Sequence, residues 1–323
     1  MKSFLYISLP SQKGFSFYLE NPNSGDHKFR FSPFDLSQKE INIKMSLEEE
    51  MESLDLPTKN VSVNPYSKEE YLILIQKTID TLKSNGYGKA VISRPKEISS
   101  PNLMARQAFK SLANAYPNAC VFLFGNEDAG LWMGATPETL VKGRDNEIST
   151  LSLAGTRKRG EDLDFGPKEY VEQQLVTDYI SQVFKKTRGL ENIEIGKREI
   201  REAGNLIHLA TEIKAKQTEE FNLDLFLKKY HPTPAVGGNP KQETLKMIAA
   251  LEKHSRSYYS GYFGLEHKNS FHYFVNLRCM QLLRNSVVLY AGGGITSDSD
   301  PLDEWNETES KMKTLLNVLQ DQL

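Results

Sequence analysis

The sequence predicts an α+β fold built as one large domain. Helical and strand periodicities alternate along the chain without the regular spacing of β-α-β units, which disfavours a doubly wound parallel sheet. The 323 residues are 39% hydrophobic and 10% aromatic, enough for one large core. No internal repeat or linker divides them. We therefore expect a single domain over 1–323.

The composition excludes several classes of protein. A formal net charge of −2 and a pI near 6.4 provide no basic field, so nucleic acid is not an expected partner. The two cysteines, Cys120 and Cys279, are too few for a disulfide framework or a thiolate metal site. No run of about eighteen apolar residues and no secretory leader is present, so no membrane association is expected. These features predict a cytoplasmic protein.

The secondary-structure patterns of the N-terminal third are weak at first and become clear from residue 67 onwards. Within 1–65, the alternating residues of 4–9 and 15–19 predict two strands. The acidic segment 46–54 favours a short helix or loop. A helix is predicted over 67–85, because Ser67 and Glu70 have the spacing of a capping box. The strand that follows begins at Lys89. A lysine there is commonly an edge residue with its amine in solvent.

The middle of the chain contains a carboxylate at a break between strands. A helical stretch near 101–115 precedes a buried strand, 119–125, and a strand-turn-strand segment, 130–143. Glu138 follows Pro137 where the strand pattern breaks. That position can direct a side chain into a cleft, and it can equally be a surface turn. The next strand ends at Gly155 and Thr156 in a basic loop.

A second carboxylate is predicted on the apolar face of a helix. The helix covers 167–185, with Pro167 at its first position. A helical wheel places four apolar residues around Glu172: Leu175, Val176, Tyr179 and Val183. A carboxylate there is costly to bury unless it is paired, protonated or bound to a cation. We therefore expect a functional role for Glu172.

Further along, a strand over 205–215 contains His208, and a lone histidine in a strand is more often structural than a ligand. A loop rich in proline and glycine, 231–240, opens another helix. A strand follows over 257–267.

The C-terminal segment combines strands, glycines and a helix. Strand patterns over 271–283 and 286–291 lead to three glycines, 292–294, which we expect to form a loop whose amides could bind an anion. Asp300 as N-cap and Pro301 begin a helix. Its predicted core stripe is Trp305, Met312, Leu316 and Leu319.

Three charged residues lie on the flank of that stripe. Glu304, Glu307 and Lys311 fall within about 60° of one another on the helical wheel. A solvated Glu–Lys pair is the ordinary explanation of such spacing. The alternative is a charged site at the margin between core and solvent.

Nine motifs, taken in order, resemble the chorismate-utilising enzymes, which comprise isochorismate, anthranilate, aminodeoxychorismate and salicylate synthases. The motifs are GATPETL, LAGTRKRG, KEYVEQQLV, HLATEI, HPTPAVGGNP, YYSGYFG, LRCMQL, YAGGGI and DPLDEWNETESK. The resemblance covers 85–323, whereas 1–65 is short and divergent. It implies two large antiparallel sheets packed together, flanked by helices, around a deep magnesium-containing site that binds chorismate.

The resemblance also implies roles for individual residues. Glu172 and Glu307 would ligate Mg²⁺, with Glu169 and Glu304 close to the ion. The base and the acid would be Lys89 and Glu138. The remaining substrate-binding positions would be Gly155, Thr156, His208, Ala235, Tyr259, Arg278, Gly292, Gly293 and Lys311.

Three positions distinguish the branches of the family. Lys89 stands where isochorismate and salicylate synthases have the lysine that activates water. Ala154 stands where aminodeoxychorismate synthases have a nucleophilic lysine. Ala235 stands where anthranilate and salicylate synthases usually have threonine. The expected activity is therefore that of an isochorismate synthase, an isomerase, with salicylate synthase as the alternative.

The resemblance leaves the pathway open between menaquinone and siderophore synthesis. No glutaminase subunit is expected, and we expect a monomer, although the sequence does not fix the oligomeric state. One departure from the family is the sequence GGGI in place of the usual GAGI, and we expect it to touch no chemical group.

Overall fold

Seventeen strands and six helices make up the described part of the chain. The computed structural model describes residues 2–50, 63–158, 165–203 and 206–320, with the backbone alone at 154–158, 168, 172, 202–203 and 206. The strands are β1 Phe4–Ser8, β2 Ser16–Glu20, β3 His27–Ser32, β4 Ile41–Glu48, β5 Lys89–Ser99, β6 Cys120–Asn126, β7 Gly130–Thr136, β8 Thr139–Arg144, β9 Glu147–Lys158, β10 Leu190–Ile195, β11 Glu199–Ala203, β12 Leu206–Gln217, β13 Gly238–Asn239, β14 Tyr262–His267, β15 Ser270–Val275, β16 Cys279–Leu282 and β17 Ser286–Ile295. The helices are α1 Lys68–Asn85, α2 Ala105–Ala115, α3 Pro167–Lys185, α4 Leu223–Tyr230, α5 Lys241–Leu251 and α6 Pro301–Leu319.

The strands form two antiparallel layers joined through β2. The first layer has the order β13-β5-β17-β16-β7-β6-β1. The second has the order β4-β3-β14-β15-β8-β9-β12, with β10 and β11 both beside β12. Strand β2 pairs with β1 on one side and with β4 on the other. The predicted α+β fold with two antiparallel sheets is confirmed.

An aromatic core fills the space between the two layers. The ring of Phe122 on β6 lies 4.3 Å from that of Phe263 on β14, and Phe124 lies 5.1 Å from Phe31 on β3. Helix α3 packs on the outer face of the second layer, and α1, α2, α5 and α6 pack on the first. The two layers therefore bury one face against each other and the other against helices. None of the described helices is both long and apolar enough to cross a bilayer.

The predicted helix starts are confirmed. The hydroxyl of Ser67 accepts the amide of Glu70, whose carboxylate accepts the amide of Ser67, so the capping box of α1 is complete. Asp300 caps α6 through two amides, and Pro301 follows at the first position. Pro167 likewise begins α3. Local sequence determines each of these ends.

Several local predictions were wrong. Residues 46–48, expected in a helix or loop, belong to strand β4. The segment 271–283 is two strands, separated by a turn at 276–278. The three glycines extend β17 to Ile295 and pair with β5, instead of forming a loop.

The buried faces of two helices also differ from the faces that the helical wheels predicted. In α3, Val176 and Val183 are buried as predicted, and Tyr179 packs against the same core. Leu175 is 41% exposed, however, and the buried face extends to Gln173 and Ile180. The apolar face is therefore displaced from the one predicted around Glu172, whose side chain lies outside the described residues. In α6, Leu315 is fully buried instead of Leu316.

Candidate active site

Two connections between the layers position the first candidate residues. Glu138 lies where the chain passes from β7 to β8, and Arg278 lies where it passes from β15 to β16. The amide of Val275 donates to the Glu138 carbonyl at 3.0 Å, and the amide of Ala135 donates to the Arg278 carbonyl at 3.0 Å. The Thr136 hydroxyl adds a bond of 2.7 Å to the Val275 carbonyl. The two connections are thus bonded to each other, which fixes both side chains at one edge of the layers.

Lys89 begins β5, between two neighbouring strands. Its backbone pairs with Asn239 of β13, while Gly294 of β17 lies opposite Val91. A Cβ atom on Gly294 would lie 2.3 Å from Lys89 Cε and 2.9 Å from Nζ. The lysine side chain therefore crosses the space that any residue other than glycine would fill, and Gly294 permits its position.

Lys311 connects helix α6 to the glycine strand. Its ammonium group donates to the Gly292 carbonyl at 2.7 Å and lies 2.5 Å from Glu307 Oε1. The amide and carbonyl of one strand residue face the same side, so the Gly292 amide faces the site and the Gly293 amide faces β5. This geometry favours the predicted anion-binding role for Gly292 and disfavours it for Gly293.

Gly293 instead makes room for a carboxylate. Glu304 is buried, and its Oε1 accepts the Ser299 hydroxyl at 2.7 Å. A Cβ on Gly293 would lie 2.5 Å from Glu304 Oε2. The expectation that the glycine departure touches no chemical group was therefore wrong. Glu304 and Glu307 lie one turn apart on α6, and such hard oxygen donors suit Mg²⁺.

The electrostatic setting of Glu138 is unusual. The side chain is half-buried among protein atoms, as expected of a group that lines a cleft. Burial raises the pKa of its carboxyl group to about 7, and the positive charges of Lys89 and Lys311 limit the rise. Glu138 therefore exchanges a proton near neutral pH and lies within the field of both lysines.

The opposite shift occurs at Glu307. Burial acts to raise the pKa of its carboxyl group, but Lys311, Lys89 and Arg278 outweigh burial and lower it. The carboxylate is thus ionised at neutral pH, and about half of its side chain is exposed: 49%. The structure brings together five side chains whose charges act on one another: Lys89, Glu138, Glu307, Arg278 and Lys311.

Arg278 is the part of this group that is prepared for an anion. Burial lowers the pKa of its guanidinium group, the nearby Tyr259 and Glu307 act against that shift, and Nη1 donates to the Thr314 hydroxyl at 3.2 Å. Among the described residues, no carboxylate lies within 4 Å of this guanidinium. Its φ of 47° is in the left-handed region, which costs energy for a residue other than glycine. A half-buried arginine held in this way suits a carboxylate ligand.

The remaining predicted residues have the following places. Tyr259 is buried and stacks on Tyr290, with ring centroids 5.5 Å apart. Ala235 is half-buried in the loop between α4 and α5, which borders β5 through β13. His208 is half-buried on β12, opposite Thr156 of β9. Glu169 is half-buried in the first turn of α3, and only the backbone of Gly155, Thr156 and Glu172 is described.

Sequence reasoning missed a buried ion pair behind the site. Arg256 binds Glu252 through Nε at 2.8 Å and Nη2 at 2.6 Å, with both side chains almost fully buried. The same arginine donates to the carbonyls of Val91 and Val236, and Glu252 accepts the Ser93 amide at 2.7 Å. The pair thus fixes β5 to the loop that contains Ala235. Its i,i+4 spacing was the available signal, but exposed pairs have the same spacing.

We expect Gly294→Ala to reduce turnover by at least about tenfold without unfolding the protein. The new methyl group must displace the end of the Lys89 side chain, and a misplacement of about 1 Å can cost about a hundredfold in rate. The displaced atoms end a flexible side chain, so the melting temperature should change little.

Gly88→Ala is the matched control for this experiment, since its Cβ would meet nothing closer than 3.6 Å. Steady-state kinetics and thermal melts of both variants test the prediction. Equal turnover in Gly294→Ala and Gly88→Ala would show that the position of Lys89 is unimportant.

Comparison with known sequences shows which protein family this chain matches. The profile described as "Chorismate binding enzyme" matches residues 32–320. Isochorismate synthase EntC of Escherichia coli K12 is 33% identical over 202 residues, which are 59% of this chain and 51% of that protein. Isochorismate synthase MenF of Bacillus subtilis is 26% identical over 267 residues, 78% of this chain and 56% of that protein. The chain thus spans about half the length of these relatives.

A solved structure supports the fold over the whole chain. The menaquinone-specific isochorismate synthase MenF of Escherichia coli superposes with a TM-score of 0.83 at 20% identity. The superposition covers 99% of this chain and 89% of that one. At this identity the likeness establishes the arrangement of the layers, and the chemistry has to be argued from the site.

Proposed function

The chain belongs to the chorismate binding enzyme family, and on this basis we propose that it is an isochorismate synthase. In this isomerisation water adds at C2 of chorismate, the C4 hydroxyl group leaves, and the ring double bonds shift. The observation that supports the proposal most is the pKa of Glu138, about 7, in the field of Lys89 and Lys311. A carboxyl group that keeps its proton near neutral pH can protonate a departing hydroxyl group.

Lys89 and Glu138 would divide the proton transfers. Lys89 would take a proton from the attacking water, for which its ammonium group must first release its own proton. Glu138 gives a proton to the C4 oxygen as it leaves. General acid and base steps of this kind each contribute about 10²–10⁴ in rate.

The charged and polar groups around them would hold the substrate. Arg278 and Lys311 bind its carboxylates, helped by Tyr259 and the Gly292 amide. The absence of a described carboxylate against Arg278 supports this role, since the guanidinium keeps its capacity for an anion. Family resemblance adds four positions that would surround the ring: Gly155, Thr156, His208 and Ala235.

We propose that the enzyme requires Mg²⁺. Glu307 and Glu172 would hold the ion, with Glu169 and Glu304 close to it. Carboxylate oxygens are donors that suit this cation. Gly293 leaves space beside Glu304 Oε2, and this space is compatible with a Glu304 carboxylate turned towards the ion. When bound, the ion anchors the C1 carboxylate and withdraws electron density from the conjugated ring. We further propose that residues 1–323 work as one unit, a monomer without a glutaminase subunit.

Incubation with chorismate and Mg²⁺ tests the activity directly. We expect isochorismate as the product by chromatography, with no requirement for ammonia. A lactate dehydrogenase assay should detect no stoichiometric pyruvate. Formation of pyruvate together with salicylate would indicate a salicylate synthase. Formation of anthranilate in the presence of ammonia would contradict the role of Lys89. The isochorismate would feed menaquinone or siderophore synthesis.

We expect Glu307→Gln to raise the Mg²⁺ concentration for half-maximal activity by at least about tenfold, because a charged oxygen donor is lost. Without metal, the variant should also melt at a lower temperature at pH 7, because Lys311 loses its carboxylate partner and keeps only the Gly292 carbonyl. The folded-state pKa of Glu307 is lowered, so this difference should shrink as the pH falls below about 4.5.

Asp303→Asn, which removes an exposed carboxylate from the same helix, serves as the control for that experiment. Magnesium titrations of activity and thermal melts across pH compare the two variants. Full activity of Glu307→Gln at micromolar Mg²⁺ would refute the metal assignment.

A further inference from the structure

A group of three potential metal ligands lies at the far end of the second layer. His27 begins β3 and is paired directly opposite His267, the last residue of β14. Asp26 precedes His27. One ligand atom from each of the three residues lies within 4.8 Å of the others. The pairing register therefore brings two imidazoles and a carboxylate together from segments about 240 residues apart in the sequence.

The carboxylate lies where the two imidazoles converge. Asp26 Oδ1 is 2.7 Å from His27 Nδ1, and Asp26 Oδ2 is 3.5 Å from His267 Nε2. The histidine rings stack with centroids 4.2 Å apart and an angle of 10°, and each ring presents one nitrogen to the Asp26 carboxylate. These nitrogens and the carboxylate are the atoms that would bind one ion once the side chains turn towards it.

The arrangement is held on its inner side and open on its outer side. His27 is only 14% exposed, and the ring of Tyr18 packs edge-on against it at 5.0 Å. His267 is 34% exposed and Asp26 61% exposed. An ion can therefore reach the group from solvent, while packing and strand pairing restrict the histidine nearest the core. Pre-positioned ligands reduce the ordering cost of binding.

We propose that Asp26, His27 and His267 form a surface binding site for a transition-metal dication such as Zn²⁺. Two imidazoles and one carboxylate suit Zn²⁺, Ni²⁺ or Cu²⁺ and are a poor set for Mg²⁺, which prefers oxygen donors. The site lies about five strand residues, or about 16 Å, from the end of β14 that borders the connections between the layers. It is therefore separate from the proposed active site.

The probe for this site is Zn²⁺ alone, titrated by calorimetry into the protein in the presence of excess Mg²⁺. We expect one Zn²⁺ per chain with micromolar affinity that Mg²⁺ does not displace. His27→Gln and His267→Ala should each weaken binding at least tenfold, and Asp26→Asn should weaken it less. Asp128→Asn, a change at an exposed aspartate paired with Lys39, should leave the affinity unchanged.

Cobalt provides a second readout that does not depend on affinity alone. Co²⁺ bound by nitrogen and oxygen ligands in a four-coordinate site should give visible absorption that His27→Gln abolishes, with circular dichroism confirming that the variant is folded. Zinc binding that survives both histidine changes, or that excess Mg²⁺ abolishes, would refute the site. Chorismate turnover without Zn²⁺ should be the same in Asp26→Asn and the unmodified protein, so this test is independent of the proposed activity.

Discussion

Glu138→Gln should lower kcat by about two to four orders of magnitude while leaving chorismate binding largely intact. An amide keeps the size of the side chain but has no proton of suitable acidity to donate to the C4 oxygen. The groups proposed to hold the substrate carboxylates, Arg278 and Lys311, are unchanged. The loss should therefore appear in kcat more than in KM. Glu97→Gln, at an exposed carboxylate bonded to Ser286, is the matched control.

The pH dependence of the unmodified enzyme gives an independent test of Glu138. The acid must be protonated to act, and burial raises the pKa of Glu138 to about 7. The alkaline limb of kcat/KM should therefore lie at or above neutral pH, because Lys89 has no charge when it acts as the base and then no longer opposes the effect of burial on Glu138. An alkaline limb that stays in place in the residual activity of Glu138→Gln would assign that limb to another group. Activity of the variant within tenfold of the unmodified protein would remove Glu138 from the mechanism.

The same pKa predicts an effect on stability. The pKa of Glu138 in the folded state, about 7, is above the ordinary value of 4.5 for a glutamate. The cost of ionising Glu138 in the fold is therefore absent below about pH 4.5 and complete above about pH 7, where it is on the order of 3 kcal/mol. Glu138→Gln should thus raise the melting temperature at pH 8 relative to the unmodified protein and change it little at pH 4.5. A variant that loses activity and gains stability would show that the carboxyl group is kept for chemistry.

The features that the sequence predicted correctly depend on neighbouring residues. The capping box at Ser67 and the cap at Asp300 need only a few positions of local sequence, and both are present. The glycine run was misassigned because its strand partner, β5, lies about 200 residues earlier in the chain. Glycine is uncommon in strands, so local propensity favoured a loop. The structure shows that the absent side chains make room for Lys89 and Glu304.

The candidate site depended on information that periodicity does not contain. Glu138 follows Pro137 at what could have been a surface turn, and only the pairing of two connections between layers shows that it is enclosed. The Glu304, Glu307 and Lys311 group was identifiable from helical spacing, but its contact with the Gly292 carbonyl was not. Family resemblance supplied the roles that spacing could not.

Lys89→Ala should reduce kcat by about two to four orders of magnitude while chorismate still binds. The proposed base is lost, whereas Arg278 and Lys311 are untouched. Removal of the side chain leaves the strand pairing of β5 in place, because that pairing uses the backbone. The variant should therefore fold. Its Glu138 should also have a higher pKa, because one of the two cations that oppose the effect of burial is gone.

Lys96→Ala is the matched control, since Lys96 lies on the same strand and its ammonium group binds Glu309 away from the site. Single-turnover measurements with chorismate separate the chemical step from product release, and fluorescence or calorimetric titration measures binding. A Lys89→Ala variant that keeps more than about a tenth of the unmodified kcat would mean that another group activates water. A variant that loses binding and turnover equally would instead make Lys89 a substrate-binding residue. Only a loss confined to turnover, with Lys96→Ala unaffected, supports its role as the base.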